Sequence, residues 1–197
     1  MRIGYDIDET LFPFMPPLIK FLAGRGIIVP SYERTHSFDL WKVWECTREE
    51  AFKLVNLFYD SKEFLELQPD PGALDLLSKL RQSHQQYAIT SRPARMAPAT
   101  LFQVGKHLPQ CIMGVHHTGQ YTLHSHGNEA ATKGTVCHDL GIELFVEDAL
   151  HHAEEIASHG VRVLLLPRPW NIGKPVAKGV IRIPDLSAVL DYVNGSE

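Results

Sequence analysis

The sequence contains no pair of cysteines at redox or metal-ligand spacing. Its three cysteines, Cys46, Cys111 and Cys137, are odd in number and far apart. That argues against a disulfide framework and a cysteine zinc site, and it fits a reducing compartment. No apolar run approaches the roughly 20 residues of a membrane-crossing helix. Met1 runs straight through Arg2-Ile3-Gly4-Tyr5 into Asp6, with no apolar leader. The reading is therefore cytoplasmic, with no membrane partner. Basic residues are not in excess: 19 Lys and Arg stand against 23 Asp and Glu, a net charge of −4. No basic patch of the kind that binds a nucleic-acid polymer is visible. Walker loop, glycine-rich dinucleotide fingerprint, internal repeat and low-complexity stretch are all missing.

What remains is an ordinary globular composition, 44% apolar and 21% charged over 197 residues. That is enough chain for one core domain, or for a core with a small insertion. Short apolar runs alternate with helical patterns. Strands are expected at Ile3 to Ile7, Tyr87 to Ile89, Leu144 to Val146, Val161 to Leu166 and Ile181 to Ile183, with a shorter run at Cys111 to Val115. Helices are expected from Asp70, as N-cap, with Leu74, Leu77 and Leu80 at helical spacing to Arg81, and around 94–106, 131–140, Ala149 to Ser158 and Asp185 to Val193. Apolar strands without clean alternation predict an α/β fold, a Rossmann-like parallel sheet with helices on both faces.

One segment breaks the alternation. Residues 11–67 hold Leu18 to Leu22, a helix ended by Gly24 or Gly26, and Thr47-Arg48-Glu49-Glu50, a capping box opening a helix through Phe58. The expected division is a core of residues 1–10 and 68–197 with a small helical cap, 11–67, inserted after the first strand.

Four strand-like runs are followed by chemistry-bearing residues. Asp6 and Asp8 leave the first; a two-residue spacing sends both carboxylates to one side, where they repel unless a cation or a shared proton joins them. A hard, oxygen-ligating ion such as Mg²⁺ suits them, although a solvated acidic turn has the same composition. Thr90-Ser91-Arg92-Pro93 leaves the second, where a hydroxyl and free N–H groups would hold a phosphate oxygen. Lys133 stands near a helix start, where it and the positive helix end would attract an anion, as would any surface lysine. Glu147 and Asp148 leave the fourth, with Asp148 also suited to an N-cap. In a parallel sheet these ends share one edge, so carboxylates, a metal and a lysine would assemble a phosphoryl-transfer site.

These four motifs, in this order, resemble the haloacid dehalogenase superfamily of phosphatases over nearly the whole chain. The resemblance implies that Asp6 attacks phosphorus and forms an aspartyl-phosphate. It gives Asp8 the proton transfers and gives Thr90, with Ser91, and Lys133 the phosphoryl oxygens. Mg²⁺ would fall to Asp6, the main-chain carbonyl of Asp8, and Asp148, with Glu147 as ligand or neighbour. The second aspartate favours phosphate esters over dehalogenation. Two departures stand out: Glu9 follows Asp8 where glycine is common, and the fourth motif is Glu-Asp rather than Asp-Asp.

Within the superfamily the chain is similar to the cytosolic-type 5′(3′)-deoxyribonucleotidases and their bacterial relatives. That similarity rests on the early cap, on Phe14 eight residues past Asp6, and on Arg168-Pro169-Trp170-Asn171. It implies a small phosphorylated partner, a nucleoside monophosphate first and a sugar phosphate or other metabolite second, and it leaves room for a homodimer. A binding protein that keeps the fold without catalysis is the third reading. Phe12, Phe14, Phe38, Trp41 and Trp44 would either stack on a base or form the cap's own core, with Phe14 and Trp41 the foremost substrate contacts. The histidines His116-His117, His124-x-His126 and His151-His152 have no zinc-motif spacing and read as surface or loop residues, and Gly119 to Gly127 as a polar loop or hairpin.

Overall fold

A computed structural model describes residues 1–119 and 131–195. It is built on one six-stranded sheet: β1 (Arg2–Tyr5), β2 (Gln85–Thr90), β3 (Gly114–His117), β4 (Leu144–Glu147), β5 (Arg162–Leu165) and β6 (Val180–Arg182). Every pairing is parallel, in the order β3-β2-β1-β4-β5-β6. The order reverses at β1, between β2 and β4, and the crevice at the carboxyl ends of such strands is where ligands bind in sheets of this type.

Helices α1 (Met15–Ala23), α2 (Leu40–Val43), α3 (Arg48–Tyr59) and α4 (Lys62–Leu65) lie between β1 and β2, followed by α5 (Ala73–Leu80). Later come α6 (Ala97–His107), α7 (Lys133–Leu140), α8 (Leu150–Ser158) and α9 (Ala188–Asn194). The sheet separates two apolar layers. Ile3, Tyr5, Leu144, Val146 and Leu164 join α5 and α9 in one cluster, which continues into α1, α3 and α4. Phe145, Val163 and Leu165 point the other way, onto Cys137 of α7 and Ala153 and Ile156 of α8. This is the period-2 alternation of a strand, with both faces apolar because both are covered.

The capping box at Thr47 and Glu50 forms as expected and opens α3. The helix after Asp70 differs. Asp70 Oδ1 accepts from Gly72 N at 2.9 Å, a side-chain turn that delays α5 to Ala73. Its buried stripe is Ala73, Leu76, Leu77 and Leu80, and Leu74 is exposed. Likewise Asp185 accepts from Ser187 N and α9 starts only at Ala188. In both places a short acidic side chain competes for the backbone N–H groups that a helix start would leave free.

Among the described residues, no helix is long and apolar enough to cross a membrane. His116 and His117 belong to β3 and are half-buried, rather than sitting in a loop or on the surface. His117 Nδ1 lies 3.2 Å from the Arg92 carbonyl oxygen. The His124-x-His126 pair and most of the Gly119 to Gly127 stretch lie outside the described residues.

Candidate functional site

Tyr5 ends β1 facing the α5 and α9 layer, so Asp6 turns to the opposite side, toward α7. Phe145 faces that side from β4, and Glu147, two residues on, follows it. Lys133, the first residue of α7, meets both: its Nζ lies 2.9 Å from Asp6 Oδ1 and 2.8 Å from Glu147 Oε2. Thr132 caps this helix by accepting from Thr135 N. Gly134 lets it approach α8, because a Cβ there would meet Glu155 Oε1 at 2.5 Å and His159 Cδ2 at 2.4 Å. Lys133 is thus a buried side chain (1% exposed) rather than a surface lysine.

Asp148 completes the group. Asp6, Glu147 and Asp148 each offer a carboxylate oxygen within 4.8 Å of the others, and all three are buried. Asp148 does not cap α8; its Oδ2 accepts from Trp170 Nε1 at 3.0 Å, and its carbonyl oxygen accepts from Asn171 Nδ2 at 2.6 Å. Glu147 Oε1 accepts from Ala149 N instead.

Asp8 lines the same cavity as Asp6 but not by strand period, since β1 has ended and Asp8 lies in the following turn. Its carboxylate accepts from both arms of Arg92, Nε to Oδ2 at 3.0 Å and Nη2 to Oδ1 at 2.6 Å. Arg92 is buried (1% exposed) and also donates to Thr100 Oγ1 and Gln103 Oε1. Its guanidinium carbon sits 4.8 Å from the Phe64 ring centroid. Thr90 Oγ1 accepts from Arg92 N at 3.2 Å, which leaves the Thr90 O–H to donate into the cavity it lines.

Glu9 has φ of +60°, the left-handed region in which glycine is at ease. The glutamate compensates with its carboxylate. Oε1 accepts from Phe14 N at 2.8 Å and Met15 N at 2.6 Å, the free donors at the start of α1. Oε2 accepts from the Tyr32 hydroxyl at 3.1 Å and lies 3.4 Å from Arg168 Nε. Arg168 also donates to the Glu9 carbonyl oxygen. Glu9→Ala keeps the strained backbone and loses the cap, a cost of about 1–3 kcal/mol in chemical denaturation. Glu9→Gly relieves the backbone and should recover about 1 kcal/mol of that. An alanine variant as stable as the parent would rule out this division of labour.

The electrostatics are unbalanced. One ammonium, Lys133, faces the Asp6, Glu147 and Asp148 carboxylates. Burial pushes Lys133 toward its neutral form, but the Asp6 and Glu147 carboxylates more than offset this and hold the ammonium. Burial pushes Glu147 up from 4.5 to about 7 against the pull of Lys133. Asp148 rises well above the usual carboxylate range through burial and the neighbouring Glu147 and Asp6. Asp6 rises through burial, with Lys133 opposing. Buried like charges with hard oxygen donors fit a small divalent cation such as Mg²⁺. Asp6, Glu147 and Asp148 would hold it.

The cavity over these groups has a volume of about 90 Å³ and is also lined by Phe14, Phe38, Ser91, His152 and Trp170. Phe14 packs edge-on to Phe58 at 5.3 Å and belongs to the core of the helical segment as well. Phe12 is fully buried against His107 and is not part of this cavity's lining, and Trp44 packs on the main cluster. Trp41 does not line this chamber but lines a second groove that shares part of its wall.

Sequence reasoning passed over five contributors. Arg92 lies two residues after Thr90 in the same turn, and its bond to Asp8 spans 84 residues. Arg168, Trp170 and Asn171 carry only a family likeness in the sequence, and in the structure they fasten Glu9 and Asp148. His152, read as a surface or loop residue, is on α8 and lines the cavity, with Nε2 3.4 Å from Ser91 Oγ. Burial, with Lys133 and His151 nearby, holds its imidazole well below the usual range and so neutral.

No family model matches the chain, and no curated protein does. Solved structures match it end to end. A haloacid dehalogenase-like hydrolase from Streptococcus pneumoniae has 17% identity and a TM-score of 0.68, covering 98% of this chain and 97% of its own. A haloacid dehalogenase family hydrolase from Deinococcus radiodurans, with bound phosphate and sodium, has 15% identity, a TM-score of 0.64 and coverage of 99% and 95%. The L-2-haloacid dehalogenase of Xanthobacter autotrophicus, with chloropropionic acid covalently bound, has 14% identity, a TM-score of 0.64 and coverage of 100% and 99%. The chain therefore has the α/β fold of the haloacid dehalogenase-like hydrolases.

Proposed function

We propose that this chain is a Mg²⁺-dependent phosphomonoesterase of the haloacid dehalogenase superfamily, acting through an aspartyl-phosphate on Asp6. The observation that carries the reading is the Lys133 ammonium shared by Asp6 and Glu147 beside Asp148, at the sheet's point of reversal. In the first step Asp6 attacks phosphorus, the bond to the leaving oxygen breaks, and that oxygen takes a proton from Asp8. In the second, Asp8 takes a proton from water, the water oxygen attacks phosphorus, and Asp6 is released with inorganic phosphate. Lys133 and the Thr90 hydroxyl, with Ser91, receive the phosphoryl oxygens. When bound, Mg²⁺ supplies positive charge against those oxygens.

Asp8 also decides between reaction classes. A dehalogenase has no leaving oxygen to protonate, whereas a phosphate ester does. The two-armed Arg92 pair sets where the Asp8 carboxylate stands beside Asp6. Residues 11–67 act as the cap over the site in this reading, with Phe14 and Trp41 toward the leaving group. The favoured substrates are nucleoside monophosphates, ahead of sugar phosphates, because aromatic residues rim the site. The test is phosphate release from p-nitrophenyl phosphate and from a nucleotide and sugar phosphate panel, with Mg²⁺ and with chelator. Turnover that is indifferent to chelator sinks the metal-dependent reading, and preference for sugar phosphates moves the substrate.

The carboxylates also make a stability prediction. Glu147 rises from 4.5 to about 7 on folding, so in that window the folded state binds more protons than the unfolded one. Stability of the metal-free protein then falls as pH rises from about 4.5 through about 7, by on the order of 2–3 kcal/mol from this group. Asp148 and Asp6 act in the same direction. Melting temperature in chelator should drop by several degrees across that window. Added Mg²⁺ should remove the drop, with about 3 kcal/mol of stabilisation at a hundredfold excess over Kd. A flat or rising profile in chelator would show that the cluster is not strained.

A further inference from the structure

The chamber over Asp6 and Lys133, about 90 Å³, is well below the roughly 300–1,000 Å³ of sites that take whole small molecules. A second groove of about 600 Å³ lies next to it, and Ser37, Phe38, Ser91, His152 and Trp170 line both. The reaction is thus divided in space: phosphorus in the chamber, leaving group in the groove. Sites for whole small molecules run from about 300 to 1,000 Å³, so the groove takes a leaving group of nucleoside size.

Its far part differs in chemistry from the chamber. Arg48, the first residue of α3, holds its guanidinium carbon 5.4 Å from the ring centroids of both Trp41 and Phe52. Lys174 lines the groove from the segment after Trp170. Lys42, also on the groove, is matched to Asp39 at 2.5 Å. Among the described residues neither Arg48 nor Lys174 has a carboxylate within salt-bridge distance, although Glu154 also lines the groove. Two cations without carboxylate partners, beside flat aromatic and guanidinium surfaces, form a place for a planar group that carries an anion.

Resting on the phosphomonoesterase reading, we infer that the substrate's leaving group carries a second anionic group, held by Arg48 and Lys174 against the Trp41 and Phe52 rim. The substrate class is a phosphomonoester with a planar ring and a further phosphate or carboxylate, of which a nucleoside 3′,5′-bisphosphate is a convenient probe. This narrows the nucleotide class favoured above: a nucleotide with a second anion should bind more tightly than the plain monophosphate of the same nucleoside.

The measurement is calorimetric titration of the Asp6→Asn protein, which should bind without turnover, with a nucleoside 3′,5′-bisphosphate and with the matching 5′-monophosphate in Mg²⁺. The bisphosphate is expected to bind at least about tenfold more tightly at moderate salt. Arg48→Gln with Lys174→Gln, both exposed positions that should leave folding intact, should bring the two affinities together. Equal affinities in the Asp6→Asn protein, or a preference that survives the double change, overturns the inference. Failure of the underlying reading looks different: the unaltered protein then releases no phosphate from p-nitrophenyl phosphate, whatever the titration shows.

Discussion

Asp6→Asn should reduce phosphate release by at least about 10⁴-fold, because an amide cannot form the acyl phosphate through which the proposed reaction runs. Fold and stability should survive. Asp6 is buried and is one of three carboxylates sharing one ammonium, so neutralising it relieves repulsion on Glu147 and Asp148. The expected signature is lost turnover with unchanged or raised melting temperature. It is checked by steady-state kinetics and thermal unfolding on one preparation, with spontaneous deamidation excluded by mass spectrometry. Turnover within tenfold of the parent would remove Asp6 as nucleophile.

The second large effect belongs to Arg92. Arg92→Met keeps most of the side chain's bulk but leaves the Asp8 carboxylate, Gln103 Oε1 and Thr100 Oγ1 without the donor they share. Breaking a buried charge pair from one side costs about 3–5 kcal/mol. Denaturant unfolding should show that loss. A merely structural role would stop there. If Arg92 also positions Asp8 as the base for the second step, the variant should form the aspartyl-phosphate and hydrolyse it slowly. Rapid mixing with p-nitrophenyl phosphate would then show a burst of p-nitrophenol followed by a steady rate lowered about 10²- to 10⁴-fold. Arg92→Lys, which keeps the charge but not the two-armed geometry, should recover part of the stability and little of the rate. A stable variant without a burst would leave Arg92 no part in placing Asp8.

The Arg92 cluster also ties the helical segment to the site. Gln103 Nε2 donates to the Phe64 carbonyl oxygen, and the Phe64 ring lies under the guanidinium. Phe64 belongs to α4, so Asp8, α6 and residues 62–65 share one hydrogen-bonded body.

How much of this was legible varies with the range of the interaction involved. The strand runs were readable because a parallel sheet covered on both faces leaves continuous apolar segments, as at Leu144 to Val146. The α3 start was readable because its capping box is a contact over three residues. Starts that failed, at Asp70 and Asp185, failed on an equally local competition between a side-chain turn and a helix cap. The candidate site residues Asp6, Asp8, Thr90, Glu147 and Asp148 could be named from strand ends, and Lys133 from a helix start. Their partners could not. Arg92 meets Asp8 across 84 positions, Arg168 meets Glu9 across 159, and nothing in the spacing announces either.

The amino-acid sequence alone determined a parallel α/β sheet and which strand ends carry acidic, hydroxyl and ammonium groups, because periodicity and motif order are properties of neighbouring residues. Only the tertiary structure decided that Lys133 is buried between Asp6 and Glu147, that Asp8 is held by Arg92, and that a small chamber shares its wall with a larger groove lined by Arg48 and Lys174. Those outcomes depend on crossover connections that bring distant segments to one edge, and on burial, which makes each unmatched charge costly enough to select its partner.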